Sequence, residues 1–194
     1  MKTFILNLPH RIERLQRSMQ ELSAFQPEAW SASTGTTGAY GLAISMKELY
    51  RRCIAAEWHP VLICEDDVRL CYNSKLVRDM VYDVMNKLPI GWHQLYLGAN
   101  IERPGSMIPV NDYLYQVTYA KALHACIYSR DGLIACSRVA HVPLDEGIAD
   151  LHRNGRAYIT NPMLADQYPG WSDIREKQVN YNFLKERFER GKQV

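Results

Sequence analysis

Two hydrophobic periodicities alternate along the chain. Short apolar runs bounded by proline, glycine or charge mark buried strands, and apolar residues three to four apart mark helices. Residues 3–8, stopped by Pro9, predict a first strand, and Ile12, Leu15, Met19, Leu22 and Phe25 predict a helix over 11–25. Residues 31–41 are rich in Ser, Thr and Gly and predict a flexible loop of the kind that often carries ligand contacts. Leu42, Met46, Leu49, Cys53 and Ile54 predict a helix over 42–57. Residues 61–68 follow Pro60 as VLICEDDV: four apolar residues, three acids, then an apolar residue again. Leu76, Met80, Val84 and Leu88 predict a helix over 75–88 that Pro89 and Gly91 end.

Beyond it, strands are predicted at 93–97, 113–117, 125–128 and 157–160, and helices at 130–138 and 144–154, the latter closed by Gly155. Residues 101–110, with two prolines and a glycine, read as a loop, and 162–171 as irregular. Ser172 or Asp173 then caps a final helix to about Arg190. Strands alternating with helices, with no repeat and no linker, predict one α/β domain over 1–194: a mostly parallel central sheet with helices on both faces.

Composition narrows this picture only a little. A chain of 194 residues, 47% hydrophobic and 23% charged, suits one soluble domain, and a net charge of +2 does not demand a nucleic-acid partner. Lys185, Arg187, Arg190 and Lys192 make the last helix locally basic, which keeps nucleic acid or an anionic membrane surface as a weak option. The five cysteines are odd in number and lack Cys-x-x-Cys spacing, as in a reduced, cytoplasmic protein rather than a disulfide or zinc scaffold. No apolar run approaches the ~20 residues of a membrane span, and residues 4–6 are too short for a signal peptide.

The chemistry concentrates at Glu65, Asp66 and Asp67, at the carboxyl end of the strand predicted over 61–68, the edge where open α/β sheets bind ligands. Three adjacent carboxylates are costly to bury without a counter-charge, and a divalent cation that also holds phosphate oxygens is the simplest one. A solvated acidic turn is the alternative. Arg11, Arg14 and Arg17 follow the first strand closely enough to meet a nucleotide or phosphate, or else form a solvated helix face. The loop has no phosphate-loop lysine, which argues against a nucleoside triphosphatase of that type. His124 and His152 could complete a metal site or be structural.

An ordered set of segments resembles glycosyltransferase family 25, the lipooligosaccharide galactosyltransferases and their collagen-modifying relatives. The segments are ILNLPHRIER at 5–14, GLAIS at 41–45, VLICEDDV at 61–68, WHQLYLG at 92–98, ACIYS at 125–129, PLD at 143–145, and Pro162 through Gln167 to SDI at 172–174. Two positions depart from the family pattern: Met46 stands where a histidine is usual, and Cys126 where an aromatic is usual. The resemblance implies a glycosyltransferase A-type fold, a UDP-sugar donor, and Mn²⁺ or Mg²⁺.

The resemblance and the strand-end geometry together assign roles. Asp67 and Asp66 are the expected metal ligands. Asn7, Arg11, Arg14, Ser45, Glu65 and Gln167 are expected to bind the UDP-sugar. Asp145 is the expected base that takes the acceptor hydroxyl proton in an inverting transfer, with Asp173 as a second catalytic carboxylate. Asp145 and Asp173 could instead serve as helix caps, and Glu146 could stand in for Asp145. The acceptor stays open among glycan, lipid-linked sugar, protein and modified DNA base. Two other readings stand beside this one: an inactive relative that binds sugar nucleotide, and a two-metal nucleotidyl- or phosphoryl-transfer enzyme.

Overall fold

The computed structural model describes residues 1–192. Its centre is an eight-stranded sheet built from β1 (Lys2–Asn7), β2 (Glu28–Ser31), β3 (Val61–Glu65), β5 (Gln94–Tyr96), β6 (Met107–Asn111), β7 (Leu114–Val117), β8 (Ala125–Tyr128) and β9 (Ala157–Thr160). The spatial order is β2-β1-β3-β8-β5-β9-β7-β6. Two short pairs stand outside it: β4 (Val68–Leu70) with β10 (Ala165–Gln167), and β11 (Gly170–Ser172) with β12 (Lys177–Val179).

The sheet is mixed, which corrects the expectation of a mostly parallel one. β1 runs parallel to β2 and β3, and β5 to β9, while β8 is antiparallel to both β3 and β5, and β7 to both β6 and β9. The chain between β5 and β8 contains the β6–β7 hairpin and no helix. Nothing there imposes the crossover that a parallel neighbour of β5 requires.

Helices cover both faces of the sheet. Alternate residues of β1 and β3 point to opposite sides, as a strand period of two demands. Phe4, Leu6, Val61 and Ile63 pack with α2 (Gly38–Ala55), α4 (Arg130–Ser137), α5 (Leu144–Leu151) and α6 (Phe183–Gly191) through Met46, Leu49, Leu133, Ile148 and Phe188. Ile5, Leu62 and Cys64 pack on the other side with α1 (Ile12–Glu21) and α3 (Ser74–Met85), through Leu15, Val77, Val81 and Val84. Val61, Leu62, Ile63 and Cys64 are fully buried. Burying a large aliphatic side chain contributes about 1.5–3 kcal/mol, so β3 is the most firmly held base available for a site at its end.

Several boundaries differ from the sequence expectation. α2 starts at Gly38, four residues early, because Thr37 caps it by accepting from the Tyr40 N–H at 3.2 Å. Residues 101–110 are not all loop, since β6 runs through Pro109 on the sheet edge, where a missing N–H is tolerated. The final helix starts only at Phe183, and residues 172–182 hold the β11–β12 hairpin instead. Asp173 therefore caps no helix. Gly98 lies so near β10 that a Cβ there would fall 1.9 Å from the Ala165 carbonyl oxygen.

Candidate functional site

The acids end β3 as expected, and the reason is local. β3 is buried through Cys64, Glu65 is its last residue, and the chain then turns through Asp66 and Asp67 into β4. β10 crosses that turn: the Tyr168 N–H donates to the Asp67 carbonyl at 2.7 Å, and the Gln167 Nε2 lies 3.2 Å from both Asp67 carboxylate oxygens. The triplet is thus not a solvated acidic turn. Asp66 and Asp67 are only 7% and 8% exposed.

These carboxylates form one wall of a cleft of about 480 Å³. Arg11 and Arg14 of the α1 entry stand beside them. The loop residues Ser33, Thr34, Gly35 and Thr37 form another side, and Asp145 and Glu146 at the start of α5 also line it, Asp145 near enough for its charge to act on Glu65. Gln167 and the hairpin residues Trp171–Arg175 complete the rim. Arg14, Glu65, Asp66, Asp67, Asp145, Asp173, Gln167 and Arg11 are therefore brought together. Asn7 and Ser45 are not. Asn7 is buried under the cleft and its amide donates to the Leu8 carbonyl at 2.8 Å. Ser45 is fully buried in α2, donates to the Gly41 carbonyl at 2.7 Å and accepts from the Ser33 N–H at 2.8 Å. Its hydroxyl tethers the loop, and the donor role expected of it has no geometric basis.

The electrostatics are lopsided toward negative charge. Burial first, then the charges of Asp67, Asp66 and Asp145, raises the Glu65 carboxyl well above the ordinary range, against the pull of Arg14. Asp66 is also raised by burial, partly offset by Arg14 and Arg11; the Arg14 Nη1 lies 3.3 Å from its Oδ1. Burial lifts Asp67 to about 6, with the Gln167 hydrogen bond working the other way. One guanidinium, Arg14, contacts the triplet among the described residues. The second arm of Arg14 donates to the Trp171 carbonyl at 2.7 Å, and Arg11 grips Asp173 at 2.6 and 2.7 Å.

The opposite wall carries residues that no sequence pattern marked. Lys121 lies between Glu102 at 3.2 Å and Glu146 at 3.0 Å. Burial works against its charge, but the bonds to Glu146, Tyr119 and Glu102 prevail and raise its pKa. The Lys121 ammonium in turn holds the Glu146 carboxyl below the ordinary range. Glu146 is thus a committed ion-pair partner. Asp145 has no cationic partner among the described residues. Its two oxygens accept from the Ala122 N–H at 3.3 Å and the Glu146 N–H at 3.1 Å. The cap residue of α5 is Pro143, so Asp145 lies within the first turn and is not the cap.

The two histidines are structural. His152 is buried and held neutral, its pKa lowered to about 4 by burial. Its Nδ1 accepts from the Ala120 N–H at 3.2 Å, which leaves Nε2–H to donate to the Tyr96 hydroxyl at 3.2 Å. His124 is fully buried behind Gly98, also lowered to about 4 by burial, and does not line the cleft.

No family model and no curated protein matches the chain. Among solved structures, A197 from STIV superposes with a TM-score of 0.58 at 14% sequence identity, over 94% of this chain and 95% of that one. The mixed α/β fold is shared across nearly the full length of both. A protein described as a glucose-1-phosphate thymidylyltransferase from Bacillus anthracis, in complex with sucrose, matches more loosely, with a TM-score of 0.44 at 9% identity over 84% of this chain and 69% of that one. No helix among the described residues is long and apolar enough to cross a membrane.

Proposed function

We propose that this chain is a glycosyltransferase of the A type, related to glycosyltransferase family 25, which moves a hexose from a UDP-sugar to an acceptor hydroxyl with inversion. The observation that carries the reading is the acidic end of β3: three carboxylates half or fully buried at the floor of a cleft, with one guanidinium against them. An arrangement that leaves carboxylates raised by burial and mutual repulsion suits a hard divalent cation with oxygen ligands. Asp67 and Asp66 would hold Mn²⁺ or Mg²⁺, since both line the cleft and Asp67 has only the neutral Gln167 amide as a side-chain partner. When bound, the cation offsets the charge that develops on the departing diphosphate.

The protein's own residues supply the rest. Arg11 and Arg14 present planar forks of N–H donors at the edge of β1, suited to the oxygens of a nucleoside diphosphate. Backbone groups of the 33–38 loop close over the same end of the cleft. Asp145 takes the proton from the attacking acceptor hydroxyl. It is preferred to Glu146, which Lys121 occupies, and to Asp173, which lies on the hairpin rim of the cleft. The Ala122 and Glu146 N–H groups fix its orientation.

Calorimetric titration with UDP-, GDP- and TDP-sugars, with Mn²⁺ and with EDTA, tests this directly. Mn²⁺-dependent binding of a UDP-sugar and slow release of UDP are expected. Binding without UDP release would leave a sugar-nucleotide-binding relative, and consumption of a nucleoside triphosphate would move the protein to phosphoryl or nucleotidyl transfer.

A further inference from the structure

The two arginines of the α1 entry that face the cleft are both engaged by a single element, the β11–β12 hairpin. Asp173 presents both carboxylate oxygens to the Arg11 Nη2, at 2.6 and 2.7 Å, and the Trp171 carbonyl accepts from the Arg14 Nη2 at 2.7 Å. Two close approaches seat the hairpin there. A Cβ on Gly38 would lie 2.5 Å from the Asp173 carbonyl carbon, and a Cβ on Gly170 would lie 2.8 Å from the Arg14 Nη2. Otherwise the hairpin is loosely held: Trp171 and Ile174 are about half exposed, and only Val179 of its strands is buried. Its tip residues Trp171–Arg175 form the rim of the cleft.

An arginine fork recognises carboxylate and phosphate oxygens by the same geometry. We propose that Arg11 is a phosphate subsite kept shut by Asp173, whose carboxylate occupies the guanidinium until a phosphate-bearing ligand exchanges with it and releases the hairpin from the cleft rim. This rests on the reading that the cleft takes a nucleoside diphosphate, and deepens it by placing one phosphate on Arg11. The exchange is favourable on electrostatic grounds. A phosphate brings more charge than a carboxylate, and the Arg11 side chain, 16% exposed, is better shielded from water than that of Asp173, 37% exposed. Linkage then runs both ways: a ligand that takes Arg11 loosens the hairpin, and a change that loosens the hairpin tightens the ligand.

The test uses the whole chain, with UDP and inorganic pyrophosphate as probes, calorimetry for affinity, and hydrogen exchange of the peptide spanning 170–179. Asp173→Asn, or Asp173→Ser if the first variant folds poorly, is expected to tighten UDP up to about fivefold, the range that loss of one partly exposed ion pair commands. Arg11→Gln should weaken UDP at least tenfold. Saturating UDP should raise exchange at 170–179 in the wild type to the level of Asp173→Asn without ligand. Weaker or unchanged UDP binding by the Asp173 variants, or a hairpin that UDP protects instead of loosening, overturns the proposal while the donor reading stands. If UDP fails to bind but pyrophosphate reproduces the pattern, the subsite stands and the nucleotide reading falls. If neither probe binds wild type or variants, both fall.

Discussion

Asp67→Asn separates a cation-binding carboxylate from an ordinary buried one, because it should act in opposite directions with and without ligand. Burial lifts Asp67 from 3.8 to about 6. A carboxyl whose pKa is raised on folding is protonated in both states below about pH 4, so it costs nothing there. It is ionised in both states above about pH 6, where the full penalty applies. Stability on its account falls as pH rises through that window. At about 1.4 kcal/mol per pH unit the full penalty is about 3 kcal/mol. Asparagine removes the charge but keeps one oxygen for the Gln167 amide, which now bonds both carboxylate oxygens at 3.2 Å. The lost hydrogen bond costs about 1 kcal/mol. The metal-free variant should therefore be more stable than wild type by about 2 kcal/mol at pH 8, a rise in Tm of about 4–8 °C, and no more stable at pH 4. Adding the Mn²⁺–UDP complex, as one ligand at 100 times its dissociation constant, should stabilise wild type by about 2.7 kcal/mol and leave the variant nearly unmoved. Urea melts in EDTA at the two pH values, repeated at pH 8 with both ligands, measure all of this. A variant destabilised equally at both pH values, or one that keeps Mn²⁺-dependent UDP binding, refutes the assignment.

Asp145→Asn should bind UDP-sugar and Mn²⁺ like wild type yet lose about 10²–10⁴ in transfer rate, the range for a missing general base; near-normal turnover in a radiolabelled transfer assay would remove Asp145 from the chemistry. Arg14→Ala should raise the UDP dissociation constant at least tenfold and, by stripping Asp66 of the guanidinium 3.3 Å away, cost stability at pH 8 more than at pH 4; a stability loss with unchanged UDP affinity makes Arg14 structural. Ser45→Ala should cost about 1–2 kcal/mol, since it strands the Ser33 N–H that the buried hydroxyl serves, and should raise hydrogen exchange across residues 33–41; a melt unchanged within error contradicts the tether.

The parts of the molecule that were legible in the sequence are those decided locally. β8 and β9 are four-residue apolar runs and fall where the pattern puts them, at Ala125–Tyr128 and Ala157–Thr160. The acids at the end of β3 were visible because an apolar run leads straight into them. β2 was invisible: it is a sheet-edge strand whose EAWS sequence is exposed or half-buried throughout, so no period marks it. Ser172-Asp173 reads as a helix cap, but residues 170–179 form the hairpin. What decides there is a residue 162 positions away, Arg11, which takes the Asp173 carboxylate before any helical N–H can. Lys121, Glu102 and Asn100 belong to irregular segments that meet only because Asn100 and Lys121 exchange backbone hydrogen bonds at 2.8 and 3.1 Å. Single-residue bridges of this sort leave no trace in periodicity.

The cleft is also where the fold works against itself, and this bears on its use. Seven acids and four cations line it: Glu65, Asp66, Asp67, Glu102, Asp145, Glu146 and Asp173 against Arg11, Arg14, Lys121 and Arg175. On the Lys121 wall the charges are matched by short ion pairs. On the β3 wall only Asp66 is paired, with Arg14, and burial disfavours the ionised forms of Glu65 and Asp67. A surface selected for stability alone would place neutral residues after Cys64, since the strand beneath is already fully buried and needs no charge at its end. Carboxylates kept at such a position, with backbone and amide groups of β10 clamped over them, are what the divalent cation of the proposed reading would offset. On the proposed reading the same imbalance would divide the labour: the β3 acids would receive cation and diphosphate, and Asp145, without a cationic partner among the described residues, would take the proton.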